Sequence, residues 1–447
     1  MMGSASVTSS MLNLQLTGSL AAAGAVSPND YRALVCVFLL GGNDSFNMLA
    51  PVSGQRRADY ESARGLAALP LENFLPLTDD RPEEDRLGLH RMMPGVHSLY
   101  ENGKAAFVAN VGTLAEPTTL EQVQFGSASL PLGLFSHADQ QKQWQSGMPR
   151  NRNALTGWVG RVSDLLNDLN GDDLSPMSIS FAGTNLLQSG LETKPLSRSV
   201  SGSPVLRDWQ KVHYQSRRLA LEEIYADRSY GNIFQQHWAR ENDHAVEVAE
   251  ALRSAFDNAH PVPTSFNQEN QLSVQLEAVA KGINARFQLQ KKRQTFFVTL
   301  GGWDIHSGLS GHPESLRLLD EGISEFQAAM EAMQLSEQVT LFTASDFGRT
   351  LSPNGNGTDH GWGGNQIVVG NGVNGGKVYG DYPDLALGSS LDVGRGRLIP
   401  TRSVDELVAD LALWMGVSPT DLPTVIPNIG RFHDVAGEDP PLGLFCD

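Results

Sequence analysis

The stretch Ala33–Asp44, ALVCVFLLGGND, decides the fold. Ala33–Leu40 is an unbroken apolar run, the pattern of a strand covered on both faces in a parallel sheet. A Gly41-Gly42-Asn43-Asp44 turn follows it directly. The same design recurs along the chain. Ala105–Val111 (AAFVANV) is a second apolar run, and Phe296–Leu300 (FFVTL) a third, ending in Gly301-Gly302-Trp303-Asp304. Val339–Thr343 (VTLFT) is a fourth, ending in Ala344-Ser345-Asp346-Phe347-Gly348, and Gln366–Val369 is predicted as a fifth.

Helical patterns separate these runs. A helix is expected around Gly95–Asn102. Leu272, Leu276, Val279, Ile283 and Phe287 recur at intervals of three or four, as do Leu316, Leu319, Ile323, Phe326, Met330 and Met333. Each set makes one apolar stripe for packing on a sheet, so these residues are read as core. Strands alternating with such helices predict an α/β fold with a mostly parallel central sheet flanked by helices. Residues 205–260 are charge-rich and helical without a strand, and read as a helical insertion or cap. Arg56–Arg86 reads as a loop-rich excursion, and the Pro-rich stretch Pro419–Asp447 as a surface wrap. The expected organisation is a tail over 1–29 and a single α/β domain over 30–447.

The chain has 447 residues, 40% hydrophobic and 19% charged, which fits a globular protein. A formal net charge of −17 argues against nucleic acid or anionic membrane surfaces as partners. Two cysteines, Cys36 and Cys446, exclude a disulfide scaffold or a thiolate zinc cage, although the two would pair if the tail folded back beside the first strand. Residues 11–25 (MLNLQLTGSLAAAGA) look like the apolar part of a secretory signal, yet no Lys or Arg precedes Arg32. They read as a truncated export signal or a flexible Ala/Gly-rich tail. No later apolar run approaches the roughly 20 residues of a membrane span.

In open α/β sheets ligands bind beyond the carboxyl ends of the strands. Asp44, Asp304 and Asp346 all stand there. One such aspartate is an ordinary turn residue, but three on one rim repel unless a positive charge sits among them, and a divalent metal is the simplest such charge. His306, two residues after Asp304, and His360, in Thr358–Gly364 (TDHGWGG), supply imidazole donors suited to zinc, with calcium or manganese as other options. His312 is the next histidine to consider. Ser136, at the head of a helical run, reads as an N-cap, alone or also as a nucleophile whose hydroxyl meets the positive end of the helix. Arg349 would hold a phosphate or sulfate group, or pair with a rim carboxylate. The glycines near His360 match neither GxGxxG nor GxxxxGK[ST]. A third reading, an esterase using Ser45, lacks an Asp three residues before the last histidine, His433.

The sequence also resembles the DUF1501 proteins, a bacterial group placed in the alkaline phosphatase/sulfatase superfamily. The resemblance rests on Val37–Asn47 (VFLLGGNDSFN), Phe135–Gln140 (FSHADQ), Gly157–Arg161 (GWVGR), Gly302–Ser307 (GWDIHS), Ser345–Thr350 (SDFGRT), Thr358–Gly364 and Arg397–Thr401 (RLIPT). It implies an alkaline phosphatase-like fold, a twin-arginine (Tat) export signal of which residues 11–25 would be the remnant, and a periplasmic or extracellular location. It further implies two divalent metals flanking a nucleophile. Asp44 would be the first-strand ligand and Ser136 the nucleophile. Asp304, His306 and His360 would hold one metal, and Asp346 the second. Phe347 departs from that plan, because the superfamily usually has a histidine after this aspartate. The function implied is hydrolysis of an anionic phosphate or sulfate ester, carbohydrate-linked ones included. The alternative is a non-catalytic, metal-stabilised surface or matrix-binding protein of the same fold.

Overall fold

A computed structural model of the chain describes residues 31–171, 176–200, 212–227, 229–437 and 439–446. The export-signal reading of 11–25 and the start of the 205–260 insertion lie outside these residues.

The main sheet contains β1 (Arg32–Leu39), β2 (Ala105–Gly112), β3 (Ser178–Ser180), β4 (Leu196–Ser197), β5 (Arg293–Leu300), β6 (Val339–Ser345), β7 (Gly364–Val369), β8 (Lys377–Tyr379) and β9 (Arg402–Ser403). Their order is β8-β2-β7-β6-β1-β5-β3-β4, with β9 pairing the far end of β2. All pairings are parallel except those of β7, which runs antiparallel to β2 and β6. The fold is therefore α/β with a mostly parallel sheet, and all five predicted strands are present. β1 is buried along all but its first residue, which is why its sequence is apolar throughout rather than alternating.

Register sets up the rim. Leu39 pairs with Leu300 on one side and with Ser345 on the other, so β5, β1 and β6 end level with one another. Their three following loops emerge side by side. Helices Gln271–Asn284 and His312–Ala332 pack Leu272, Leu276, Val279, Ile283, Leu316, Leu319, Ile323, Phe326 and Met330 into one core cluster with inward residues of the sheet. The opposite face packs against helices Trp158–Leu166 and Val404–Met415.

Several expectations need correction. Phe287 is 75% exposed, because its helix stops at Asn284 and the stripe ends with it. Arg56–Arg86 is no plain loop. It holds most of helix Gly54–Arg64 and, with Leu49–Pro51 and Leu87–His90, builds a small antiparallel sheet through Phe74–Pro76. The C-terminal stretch does more than wrap the surface: Leu422, Val425, Ile426, Ile429 and Leu444 are buried in the second core cluster. Cys36 and Cys446 are both free, one buried and one exposed. Helices Gln215–Ala226 and Ile233–Asn258 occupy the segment expected to be helical. No helix among the described residues is long and apolar enough to cross a membrane.

Candidate metal centre

The loops after β1, β5 and β6 approach closely enough to demand glycine. Gly41 has φ of 120°, and a Cβ there would lie 2.3 Å from the Asp304 backbone nitrogen. Asp304 is thereby held at the rim, half exposed. The loop between β6 and β7 folds as a hairpin-like return: Gly361 N donates to Gly348 O at 2.7 Å and Thr350 N to Asp359 O at 2.9 Å. That return brings His360 back over Asp304. Thr358 N donates to Ile305 O at 3.0 Å, which ties the same loop to His306.

Three imidazoles meet at Asp304. His306 Nε2 lies 3.1 Å and His360 Nε2 3.4 Å from Asp304 Oδ1, and His137 Nε2 lies 3.3 Å from Oδ2. Each ring is fixed through its other nitrogen. His137 Nδ1 is 2.6 Å from Asp346 Oδ2, His306 Nδ1 is 3.2 Å from Asp359 Oδ1, and His360 Nδ1 is 2.7 Å from the Phe135 carbonyl. A carbonyl or an ionised carboxylate can only accept, so all three Nδ1 atoms carry the proton. On a neutral ring held in this way, Nε2 is a bare lone pair. His306 and His360 point theirs at one another across 2.8 Å. His137 Nε2 is buried without a hydrogen-bond partner. Burial lowers the His360 pKa, reinforced by the charges of His137 and Arg349 and opposed by the Phe135 carbonyl and Asp304. Burial acts to raise the Asp304 pKa, but the Arg349 hydrogen bond and the His137 and His306 charges hold it below the usual carboxylate range.

These donors fit a divalent ion. His137, Asp304 and His360 each offer an atom within 4.8 Å of the others, and His306 stands beside this group, 3.1 Å from Asp304 Oδ1 and 2.8 Å from His360 Nε2. An Nδ1–H held by a carboxylate or backbone carbonyl is also the usual support for a metal-binding histidine.

The expected residues divide. Asp304, His306 and His360 come together. Asp346 sits next to them, but its carboxylate accepts from His137, from Gln141 Nε2 at 2.9 Å and from Gly41 N at 3.2 Å, so it orients His137 and does not face an open space. Asp44 turns away into a buried pair with Arg64, which also holds the Thr350 and Leu351 carbonyls. Of the acidic residues of the two-metal arrangement, Asp346 is bonded to His137, Gln141 and Gly41, and Asp44 is paired with Arg64 through one oxygen while its Oδ1 is buried without a hydrogen-bond partner. Arg349 takes the carboxylate-pairing option. Its enclosed guanidinium bonds Asp304 Oδ1 at 2.9 Å, Gly41 O at 3.1 Å, Thr358 Oγ1 at 3.2 Å and the Thr358 carbonyl. Ser136 does occupy the N-cap position of helix His137–Ser146, and its side chain makes no capping bond. His312 is buried, with Nε2 3.0 Å from Asn43 Oδ1. Ser45 is buried too, and its hydroxyl accepts from Asn365 N at 2.8 Å.

His137 is the residue that sequence reasoning missed. Phe347 stands where an imidazole was expected after Asp346, and its ring packs 4.9 Å from that of His137 and 4.5 Å from that of His360. The imidazole bonded to Asp346 comes instead from the first turn of a helix some two hundred residues earlier. The available signal was the pairing of a histidine directly after a helix-capping serine with a phenylalanine in the expected histidine position.

No curated protein matches the sequence. Solved structures with similarity include Ps i-CgsB in complex with k-i-k-neocarrahexaose, at 12% identity and TM-score 0.33, covering 91% of this chain and 78% of that one. Another is the PsFucS1 sulfatase from Pseudoalteromonas sp., at 10% identity and TM-score 0.34, covering 90% and 71%. A third is a mutant of the alkaline phosphatase PafA, at 10% identity and TM-score 0.30, covering 71% and 63%. At these scores no residue role passes from them to this chain. The family described as protein of unknown function (DUF1501) matches residues 31–424, and the chain belongs to it.

Proposed function

We propose that the chain is a metal-dependent hydrolase of anionic phosphate or sulfate esters, carbohydrate-linked ones included, working outside the cytoplasm. The observation that carries the reading is the convergence of three imidazole Nε2 atoms on Asp304, each ring held through its Nδ1 by a carboxylate or carbonyl. His137, His306, His360 and Asp304 would hold the ion, with zinc favoured by the imidazole-rich donor set and manganese or calcium as lesser fits. A bound ion would lower the pKa of a nearby hydroxyl or water and offset charge on the ester oxygens. Ser136 is the candidate nucleophile. It lies between Phe135, whose carbonyl fixes His360, and His137, and its hydroxyl is not committed to the helix cap. The first turn of the helix favours negative charge at that hydroxyl.

The test is turnover of nitrophenyl phosphate, nitrophenyl sulfate and sulfated oligosaccharides by chelated and zinc-reloaded protein, beside Ser136→Ala. Zinc-dependent turnover that Ser136→Ala abolishes at unchanged zinc content supports the reading. Undiminished turnover in Ser136→Ala removes that nucleophile.

The commitment of Asp44 and Asp346 to Arg64 and His137 favours a second reading, a metal-stabilised binding protein without turnover. Under it, zinc raises the melting temperature and no ester in the panel is cleaved.

A further inference from the structure

With Arg349 enclosed, we propose that Arg397 is the residue that recognises the anionic group of the substrate, a tetrahedral oxyanion, beside the imidazole cluster. The inference rests on the proposed metal centre for its position, and its chemistry is independent of it. The Arg397 side chain makes two contacts among the described residues: Nε donates to the His360 carbonyl at 3.0 Å, and the guanidinium carbon lies 5.1 Å from the centre of the Phe135 ring. The Nε bond points the fork from the backbone of a cluster histidine, and the ring face supports the plane of the guanidinium. Its two outer nitrogens carry four N–H donors that these contacts leave uncommitted. The neighbouring arginines are already spent. Arg349 pairs with Asp304, and Arg395 donates to Asp359 Oδ2 at 2.6 Å.

The seat beneath Arg397 is costly to build. Phe135 has φ of 72°, a left-handed backbone conformation that a bulky residue rarely adopts. That single strained residue does two things. It presents its carbonyl to His360 Nδ1, and it presents its ring to Arg397. Strain of this kind persists where surrounding packing over-determines it, and here the Phe135 side chain packs against Leu114, Trp362 and Ile399. A planar fork fixed at one end and open at the other suits two oxygens of a phosphate or sulfate group, which a single ammonium cannot match.

The experiment is calorimetric titration of inorganic phosphate, and separately of sulfate, into zinc-loaded wild type, Arg397→Gln, Arg397→Lys and Phe135→Gly at constant ionic strength. Zinc content and melting temperature are recorded for each protein. Phe135→Gly keeps the backbone conformation and removes the ring, so it tests the seat if Arg397→Gln loosens the loop. Saturable binding in the wild type that weakens at least about tenfold in Arg397→Gln, and less in Arg397→Lys and Phe135→Gly, supports the proposal. Equal affinity in wild type and Arg397→Gln overturns it, as does a wild type that binds neither anion. Arg397-dependent binding in a wild type that retains no zinc would leave the arginine site standing while the metal reading fails.

Discussion

Two carboxylates at the rim, Asp44 after β1 and Asp304 after β5, look alike in sequence and end in opposite circumstances. The Asp44 side chain is 2% exposed and paired with Arg64, itself fully buried. The Asp304 side chain is 44% exposed, pairs with Arg349 on one oxygen and faces three imidazoles. The first pairs one oxygen with a buried arginine and keeps the other, Oδ1, enclosed without a hydrogen-bond partner. The second gathers three imidazole nitrogens around it, a donor set that suits a cation. An acidic residue at a strand end is thus enclosed or left open to the rim according to whether an arginine reaches it and how completely.

The strongest way to break the contrast is Asp44→Ala. Removing one partner of a buried pair leaves Arg64 uncompensated and should cost about 3–5 kcal/mol. Denaturant unfolding would measure it, with zinc per folded chain unchanged. A loss under about 1 kcal/mol would show that the pair is no strut.

Next in size, His360→Ala should remove the ion almost entirely while barely altering apo-protein stability, since the ring is part-exposed. Competition with a zinc chelator should show more than the roughly 10–100-fold loss typical of changes to groups that merely orient ligands. Asp346→Asn should fall inside that range, because it unsettles the His137 proton without deleting a donor. Equal losses in the two variants would make Asp346 a ligand rather than an orienting group.

A further effect concerns pH and is confined to the acid range. Burial pushes the His312 pKa down from 6.5 to about 4, with a further lowering by Arg64 and Arg349 charges against the raising effect of Asp44. The unfolded chain therefore takes up the proton first, and stability is lost as pH falls from about 6.5 towards 4, with no contribution above that window. His312→Gln should flatten the acid limb of the stability profile there, and an unchanged limb would assign acid sensitivity to other groups.

Much of this was readable beforehand. Unbroken apolar runs such as Ala33–Leu40 announced the covered strands, and the spacing of Leu316–Met330 announced a helix on the sheet. Asp304, His306 and His360 could be found because each follows a strand end or sits in a glycine-rich loop. What escaped depended on pairings far apart in sequence. The pairing of Asp44 was decided by Arg64, at the end of a helix in a segment read as loop-rich. The role of His137 was decided by Asp346, and a residue after a helix-capping serine carries no local mark of that. The enclosure of Arg349 followed from Gly41 and Thr358 carbonyls, which no side-chain pattern reveals.

The most direct test of the central claim is metal stoichiometry by plasma mass spectrometry on wild type, His137→Ala and Asp44→Asn, each purified with zinc and dialysed. One zinc per chain is expected in the wild type, near none in His137→Ala, and one per folded chain in Asp44→Asn. Two ions or none in the wild type, or full occupancy in His137→Ala, would contradict it.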